Sequence, residues 1–270
     1  MLTTQQVKHF RNYGYVPVEN FFNNDEIRAM LHELERFKRE GLGHNVATEG
    51  DGTTPSDVDV NYQIIPLKDK SHLFRSLPFH DLVLETVNQL IGDPVVRVLD
   101  QIFLKPGHSG TGTDWHQDNG YFQVADPTKG TAMWVAMHDA TIANGTLHVV
   151  PNSHQMVLEH GRAPGSNHHL RTEVDDSLAV PIPLAAGGVV FFNFGIAHST
   201  RRNNSDKERA GLAYHFLNTD YIATPVPKFF PKDLVHLTGT DSTGGEKEFG
   251  VRVAGSWEDE VRKLVDAPSA

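Results

Sequence analysis

From Ile27 onward the apolar residues Ile27, Met30, Leu31, Leu34 and Phe37 recur at the i, i+3, i+4, i+7 spacing that lays one buried stripe along a helix. Asn23-Asn24-Asp25-Glu26 gives that helix an acidic, capping-box-like start, and Gly41 gives it a stop. Its charged face (Glu33, Glu35, Arg36, Lys38, Arg39) reads as solvated. Ahead of it, Thr4 is expected to cap a short helix reaching about Asn12, and residues 14–18 read as a brief strand. Between 41 and 59 the chain turns to Gly, Thr, Asp, Ser and Pro with few large apolar residues, the composition of a loop long enough to serve as a lid. A second helix is predicted over 79–91, with Leu82, Val83, Val87 and Leu90 inward and a stop at Gly92-Asp93-Pro94.

Beyond Pro94 the period changes. Short β-branched stretches recur at 95–104, 131–138, 146–150, 178–183, 188–193 and 209–217, separated by Gly, Pro and Asn turns. Helices followed by many short strands predict an α+β chain, mainly β, whose second part is a sandwich or barrel of jelly-roll type. One domain is expected over 1–270, with a helical N-terminal part (1–93), a β core (94–218) and a C-terminal extension (219–270). In the extension, Trp257-Glu258-Asp259-Glu260-Val261 suggests a short helix, and Ala267-Pro268-Ser269-Ala270 is expected to fray.

Composition narrows the function classes. With 39% hydrophobic residues the chain can bury a full core, and no run of about 18 apolar residues predicts a membrane span. No apolar leader stands at the N-terminus, and there is no cysteine. Disulfides and thiolate ligands are thereby excluded, and a reducing, cytoplasmic setting is expected. A formal charge of −10 opposes nucleic acid, so a small-molecule partner is expected, and a monomer or homodimer.

The chemistry-bearing stretch is Thr113-Asp114-Trp115-His116-Gln117-Asp118. Sixteen His and 34 acidic residues predict about two His-x-Asp/Glu triplets by chance, and His116-Gln117-Asp118 is the one present. On a strand, residues 116 and 118 would face the same side. His198, eleven positions before Arg209, is the candidate third ligand, and two histidines with one carboxylate suit ferrous iron with open positions. Arg209 is expected on a strand beside His198, where its guanidinium would fork onto a keto acid's far carboxylate; the alternative is a surface ion pair in the run Asp206-Lys207-Glu208. Zinc with hydrolysis is a second alternative, and a non-catalytic metabolite binder a third.

Four blocks in order carry a resemblance: Leu104-Lys105-Pro106-Gly107; Trp115-His116-Gln117-Asp118-Asn119-Gly120-Tyr121; Asn144-Gly145-Thr146-Leu147-His148-Val149-Val150-Pro151-Asn152-Ser153-His154; and His198-Ser199-Thr200 continuing to Arg209. In these the chain resembles the phytanoyl-CoA dioxygenase family of Fe(II)/2-oxoglutarate oxygenases. The resemblance implies a double-stranded β-helix, a jelly-roll or cupin-like barrel with the N-terminal helices packed on one sheet. It implies iron held by His116, Asp118 and His198, 2-oxoglutarate held by Arg209 and Thr200 beside Trp134, and O2 as oxidant. Hydroxylation coupled to decarboxylation to succinate and CO2 would follow, and the presence of Asp118 favours it over the halogenation of relatives that lack the acidic ligand. Asn152-Ser153-His154 departs from the commoner Gly-Ser-His, and Thr200 from the commoner Ser.

For the substrate the sequence offers weaker signals. His160, Arg162, His168, His169 and Arg171 fall in a Gly/Pro/Ser/Asn-rich stretch, a candidate for holding an anionic group or else a solvated loop. Lys105 and Asn119 flank the metal motif as further candidates, and Tyr62, Tyr121 and Phe122 are candidate walls. His138, His148 and His154 read as packing or turn residues. No basic tract suited to the phosphates of CoA appears, so a small polar or anionic metabolite is expected over an acyl-CoA.

Overall fold

A computed structural model describes residues 1–228 and 230–266; the expected frayed end, Ala267-Pro268-Ser269-Ala270, lies outside the described residues. Helix α1 (Thr4–Tyr13) is capped by Thr3, not Thr4: the Thr3 hydroxyl accepts from Gln6 N–H while the Gln6 side chain accepts from Thr3 N–H. Gly14, at φ 85°, then turns the chain left-handed into β1 (Tyr15–Val18). Helix α2 (Asn24–Arg39) begins on Asn23, whose side-chain oxygen accepts from Asp25 and Glu26 N–H, and buries Ile27, Met30, Leu34 and Phe37 as its stripe requires.

Within the expected 41–59 loop lies β2 (His44–Asn45), which pairs with β3 (Tyr62–Ile64). Helix α3 (His72–Ser76) was not legible from periodicity, and α4 (Asp81–Ile91) starts two residues later than expected, because Leu77-Pro78-Phe79 forms a 3-10 turn in front of it. The chain continues through β4 (Val95–Lys105), β5 (Thr113–His116), α5 (Asn119–Phe122), β6 (Gly130–Ala136), β7 (Leu147–Val149), β8 (Gly161–Arg162) and β9 (Leu170–Arg171). After these come β10 (Val180–Ile182), β11 (Val189–Asn193), β12 (His198–Thr200), β13 (Arg209–Asn218), β14 (Val235–His236), α6 (Glu246–Phe249) and α7 (Trp257–Val265).

The larger sheet runs β1-β11-β6-β13-β4-β3-β2, with β14 also pairing β4, and the smaller runs β10-β7-β12-β5. The two are stacked as a jelly roll, without closing into the cylinder that the word barrel implies. β13 and β6 read as unbroken buried runs because both faces of the larger sheet are covered. Ile102, Leu104, Leu212, Tyr214 and Phe216 pack outward against Met30, Leu34, Phe37, Phe74, Val83 and Val87 of the helices. Ala132, Trp134, Ala136 and Ala213 face inward onto Leu147 and Val149 of the smaller sheet. The N-terminal helices therefore do pack on one sheet. The C-terminal extension joins the same body, through β14 and through Trp257, whose indole N–H donates to Glu26 Oε1 at 2.7 Å against α2.

The Gly/Pro-rich stretch between 155 and 172 contains the β8–β9 hairpin and is clasped to the 44–57 loop. Thr48 donates its N–H to Gly165 O and its hydroxyl to Pro164 O, and Asn167 N–H donates to Val46 O. No helix among the described residues is long and apolar enough to cross a membrane.

Candidate metal centre and co-substrate pocket

His116 ends β5 and pairs directly with His198, the first residue of β12, so the two imidazoles stand side by side on the smaller sheet with ring centroids 4.2 Å apart. Each ring is fixed through its Nδ1: His116 faces the Asp114 carbonyl at 2.8 Å, and His198 the Ile196 carbonyl at 3.0 Å. A carbonyl only accepts, so each Nδ1 carries the proton and each Nε2 keeps a lone pair for a metal. Asp118 reaches the same side by a different route from the one expected. It sits in helical conformation (φ −57°, ψ −31°) at the start of α5, so a turn rather than strand alternation brings it round. Its Oδ1 lies 3.8 Å from His116 Nε2 and 3.7 Å from His198 Nε2, and the three ligating atoms all fall within 4.8 Å of one another.

Between the ligands, Gln117 points the other way. Its amide donates to the carbonyls of Ser153, Met156 and Gly195, fastening the motif to the turn that leads into His198. Sequence reasoning passed over this residue, as it did His215, whose Nε2 lies 3.4 Å from Asp118 Oδ2. Burial holds His116 below its ordinary value and pushes His198 down to about 3, which keeps both rings neutral, as metal ligands must be. Asp118 is lowered: burial opposes its charge, but the imidazoles of His215, His198 and His116 outweigh burial.

Arg209 stands on β13 of the larger sheet, not on a strand beside β12, so it looks at the metal ligands from the opposite wall. It is fully buried, which removes the surface-pair reading, and Glu208 pairs with Lys38 instead. One guanidinium nitrogen donates to Gly145 O at 2.9 Å, the Nε has no partner, and no carboxylate forms an ion pair with it among the described residues. Burial pulls its pKa down to about 10, still charged at neutral pH. Trp134 lies under it, the guanidinium carbon 5.6 Å from the indole centroid. Lys105, the register partner of Arg209 on β4, is also buried, and its ammonium donates to Thr200 Oγ1 at 2.5 Å and to Arg201 O at 2.9 Å. Burial and the charge of Arg209 hold it well below the ordinary lysine value. Burying Arg209 beside Lys105 without a carboxylate is costly, and an anion bound between them would relieve that cost.

The other candidates separate. Asn119 is taken up by local structure, its side-chain oxygen accepting from Val124 N–H across the α5 turn. Tyr121 remains near the centre, its ring edge-on to His116 at 5.7 Å and its hydroxyl accepting from Leu170 N–H. Arg162 donates to Asn167 O within its own exposed hairpin, and Arg171 is paired with Glu173. Phe122 is packed against Phe194, and Tyr62 faces outward. His160 accepts from Gln117 N–H, His138 from Ala210 N–H, and His148 Nδ1 faces its own strand's Thr146 O. His154 lies against Gly195 in the turn before β12.

Residues 10–211 match the sequence profile of the family described as phytanoyl-CoA dioxygenase (PhyH). A phytanoyl-CoA dioxygenase of Arabidopsis thaliana is 24% identical over 256 residues, spanning 81% of this chain and 90% of that protein. An ectoine dioxygenase of Bordetella parapertussis is 24% identical over 247 residues, spanning 84% of this chain and 79% of that one. Among solved structures, the epimerase SnoN in complex with Fe3+, alpha ketoglutarate and nogalamycin RO superposes with a TM-score of 0.69 at 20% identity, over 87% of this chain and 95% of that one.

Proposed function

This chain belongs to the phytanoyl-CoA dioxygenase family, of iron- and 2-oxoglutarate-dependent dioxygenases, and from that premise we propose that it hydroxylates an aliphatic carbon of a small polar metabolite. In this reading His116, Asp118 and His198 hold Fe(II) through two Nε2 atoms and one carboxylate. Arg209, Lys105 and Thr200 receive the distal carboxylate of 2-oxoglutarate, with Trp134 packed beside it. The iron, once bound with O2, supplies the redox chemistry that couples decarboxylation of 2-oxoglutarate to succinate and CO2 with C–H hydroxylation. The protein's share is to fix the keto acid at both ends, the distal one by Arg209 and Lys105 of the larger sheet together with Thr200 of the smaller, and to keep water out. One observation carries the reading: a buried guanidinium, with an unpartnered nitrogen and no carboxylate paired to it among the described residues, on the wall opposite three converging metal-ligand atoms.

The substrate reading rests on the inner face of β4 and β3. Gln101 and Phe103 share the face of Lys105, and Gln63, opposite Phe103, donates its amide to Gln101 at 2.7 Å. Neutral amides beside Phe103, with His169 5.6 Å from that ring, suit a compact polar molecule. Arg162 remains the candidate for an anionic substituent, since Arg171 is already paired with Glu173. An acyl-CoA substrate is disfavoured by the overall charge of −10.

A succinate-release assay with Fe(II), ascorbate and a panel of polar, anionic and CoA-linked substrates tests this. Turnover that needs O2 and 2-oxoglutarate, largest with a small polar substrate, is the expected result. Oxygen-independent hydrolysis, or preference for the CoA ester, would overturn the corresponding part.

A further inference from the structure

His215 lies outside every motif singled out in the sequence. On β13 it shares the inward face of Arg209, Gly211 and Ala213, and it is 4% exposed. Its ring is wedged between Phe122 at 5.3 Å, from the same turn as Asp118, and Phe194 at 6.0 Å, from the turn before His198. The larger sheet thus reaches across to both segments that deliver ligands. The two oxygens of Asp118 are also differentiated. Oδ1 is turned to His116 Nε2 and His198 Nε2, whereas Oδ2 is buried, without a hydrogen bond of good geometry, and 3.4 Å from His215 Nε2.

We propose that His215 is a positioning residue that holds Asp118 as a one-oxygen ligand, its Nε2–H directed to Oδ2 so that Oδ1 alone meets the metal. The inference rests on the metal-centre reading above. Its physical basis is the count of positions around a six-coordinate ion: a carboxylate gripping through both oxygens would occupy two, leaving too few for a chelating keto acid and O2. Fixing the outer oxygen also orients the carboxylate before the ion arrives, the usual effect of a group hydrogen-bonded to a ligand rather than to the metal.

The test uses metal-free protein titrated with Co(II) alone, followed by its visible absorption. Wild type is expected to bind one Co(II), and Asp118→Ala to lose it; absence of binding by wild type would defeat the metal-centre reading itself, separately from this one. His215→Phe is expected to bind about 10–100-fold more weakly with an altered Co(II) spectrum, and His215→Gln, which retains an amide donor, to recover most of the affinity. Should the Phe variant fail to fold by circular dichroism, His215→Leu takes its place. A measurement on unaltered protein stands beside these: 15N spectra of the Zn(II)-loaded chain should show the His215 proton on Nε2. Unchanged affinity and spectrum in the apolar variant, or an unprotonated or metal-bound His215 Nε2, would overturn the assignment.

Discussion

The ammonium of Lys105 stands 2.5 Å from the hydroxyl oxygen of Thr200, tying a lysine of the larger sheet to a strand of the smaller one. Thr200 Oγ1 also accepts from Thr113 N–H at 3.1 Å. A hydroxyl has two acceptor sites and one proton, so both sites are taken and the proton remains to be donated. Thr200 is therefore set as a donor beside the buried Lys105 and Arg209.

Replacing Lys105 by Met should raise the KM for 2-oxoglutarate about 10- to 100-fold, from the ~1.5–3 kcal/mol of a hydrogen bond to a charged group. Steady-state succinate formation measures it, and an unaltered KM would remove Lys105 from the pocket's function.

The same lysine should leave a mark on stability. Its folded pKa is depressed by burial and by Arg209, so between that value and the ordinary 10.5 the unfolded chain holds a proton that the folded chain lacks. Stability of the ligand-free protein should then rise with pH across that window and be flat below it, where Lys105 is charged in both states. Urea unfolding at a series of pH values below 10.5 should show the slope in wild type and a smaller one in Lys105→Met.

Arg209→Met should split stability from binding. Removing a buried guanidinium that lacks a carboxylate partner should not lower the melting temperature of the ligand-free protein. Wild type with 2-oxoglutarate at about 100 times its Kd should gain ~2.7 kcal/mol, and the variant should gain almost nothing. Thermal melts with and without the keto acid decide it. Equal ligand shifts in both proteins would count against the pocket.

Gly145 holds φ at 75°, its carbonyl receives Arg209 at 2.9 Å, and an added Cβ would overlap the Arg201 carbonyl oxygen. Gly145→Ala should cost about 1–3 kcal/mol from the backbone conformation alone. Chemical denaturation should show that loss together with weaker 2-oxoglutarate binding, because the shift occurs at Arg209's own support.

Trp257→Ala should lower stability by ~3–5 kcal/mol while leaving Co(II) affinity unchanged. The indole is buried and donates to Glu26 against α2, whereas the metal ligands lie on the far side of the larger sheet. Parallel denaturation and metal titration would reveal a contrary linkage.

The helices α2 and α4 were legible because each buries a long apolar stripe, and β4 and β13 because they run ten residues or more with both faces covered. β5 and β12 were not, being four and three residues long and contributing ligands more than core. Asp118 does lie beside the two histidines, but not by the strand alternation its spacing suggested: the backbone turns helical after His116, and no spacing rule reports that. Lys105 was read as a substrate contact because it flanks the metal motif in the sequence, and only the pairing of β4 with β13 sets it beside Arg209. His215 was invisible within the apolar run Ala213-Tyr214-His215-Phe216-Leu217, where a histidine reads as packing.

In the proposed reading the keto acid runs from an ion held by His116, Asp118 and His198 to Arg209 on the facing sheet, so the gap between the sheets acts as a ruler for it. On that reading the stacking of two sheets, laid down by hydrophobic residues far from any chemistry, selects the length of the acid consumed.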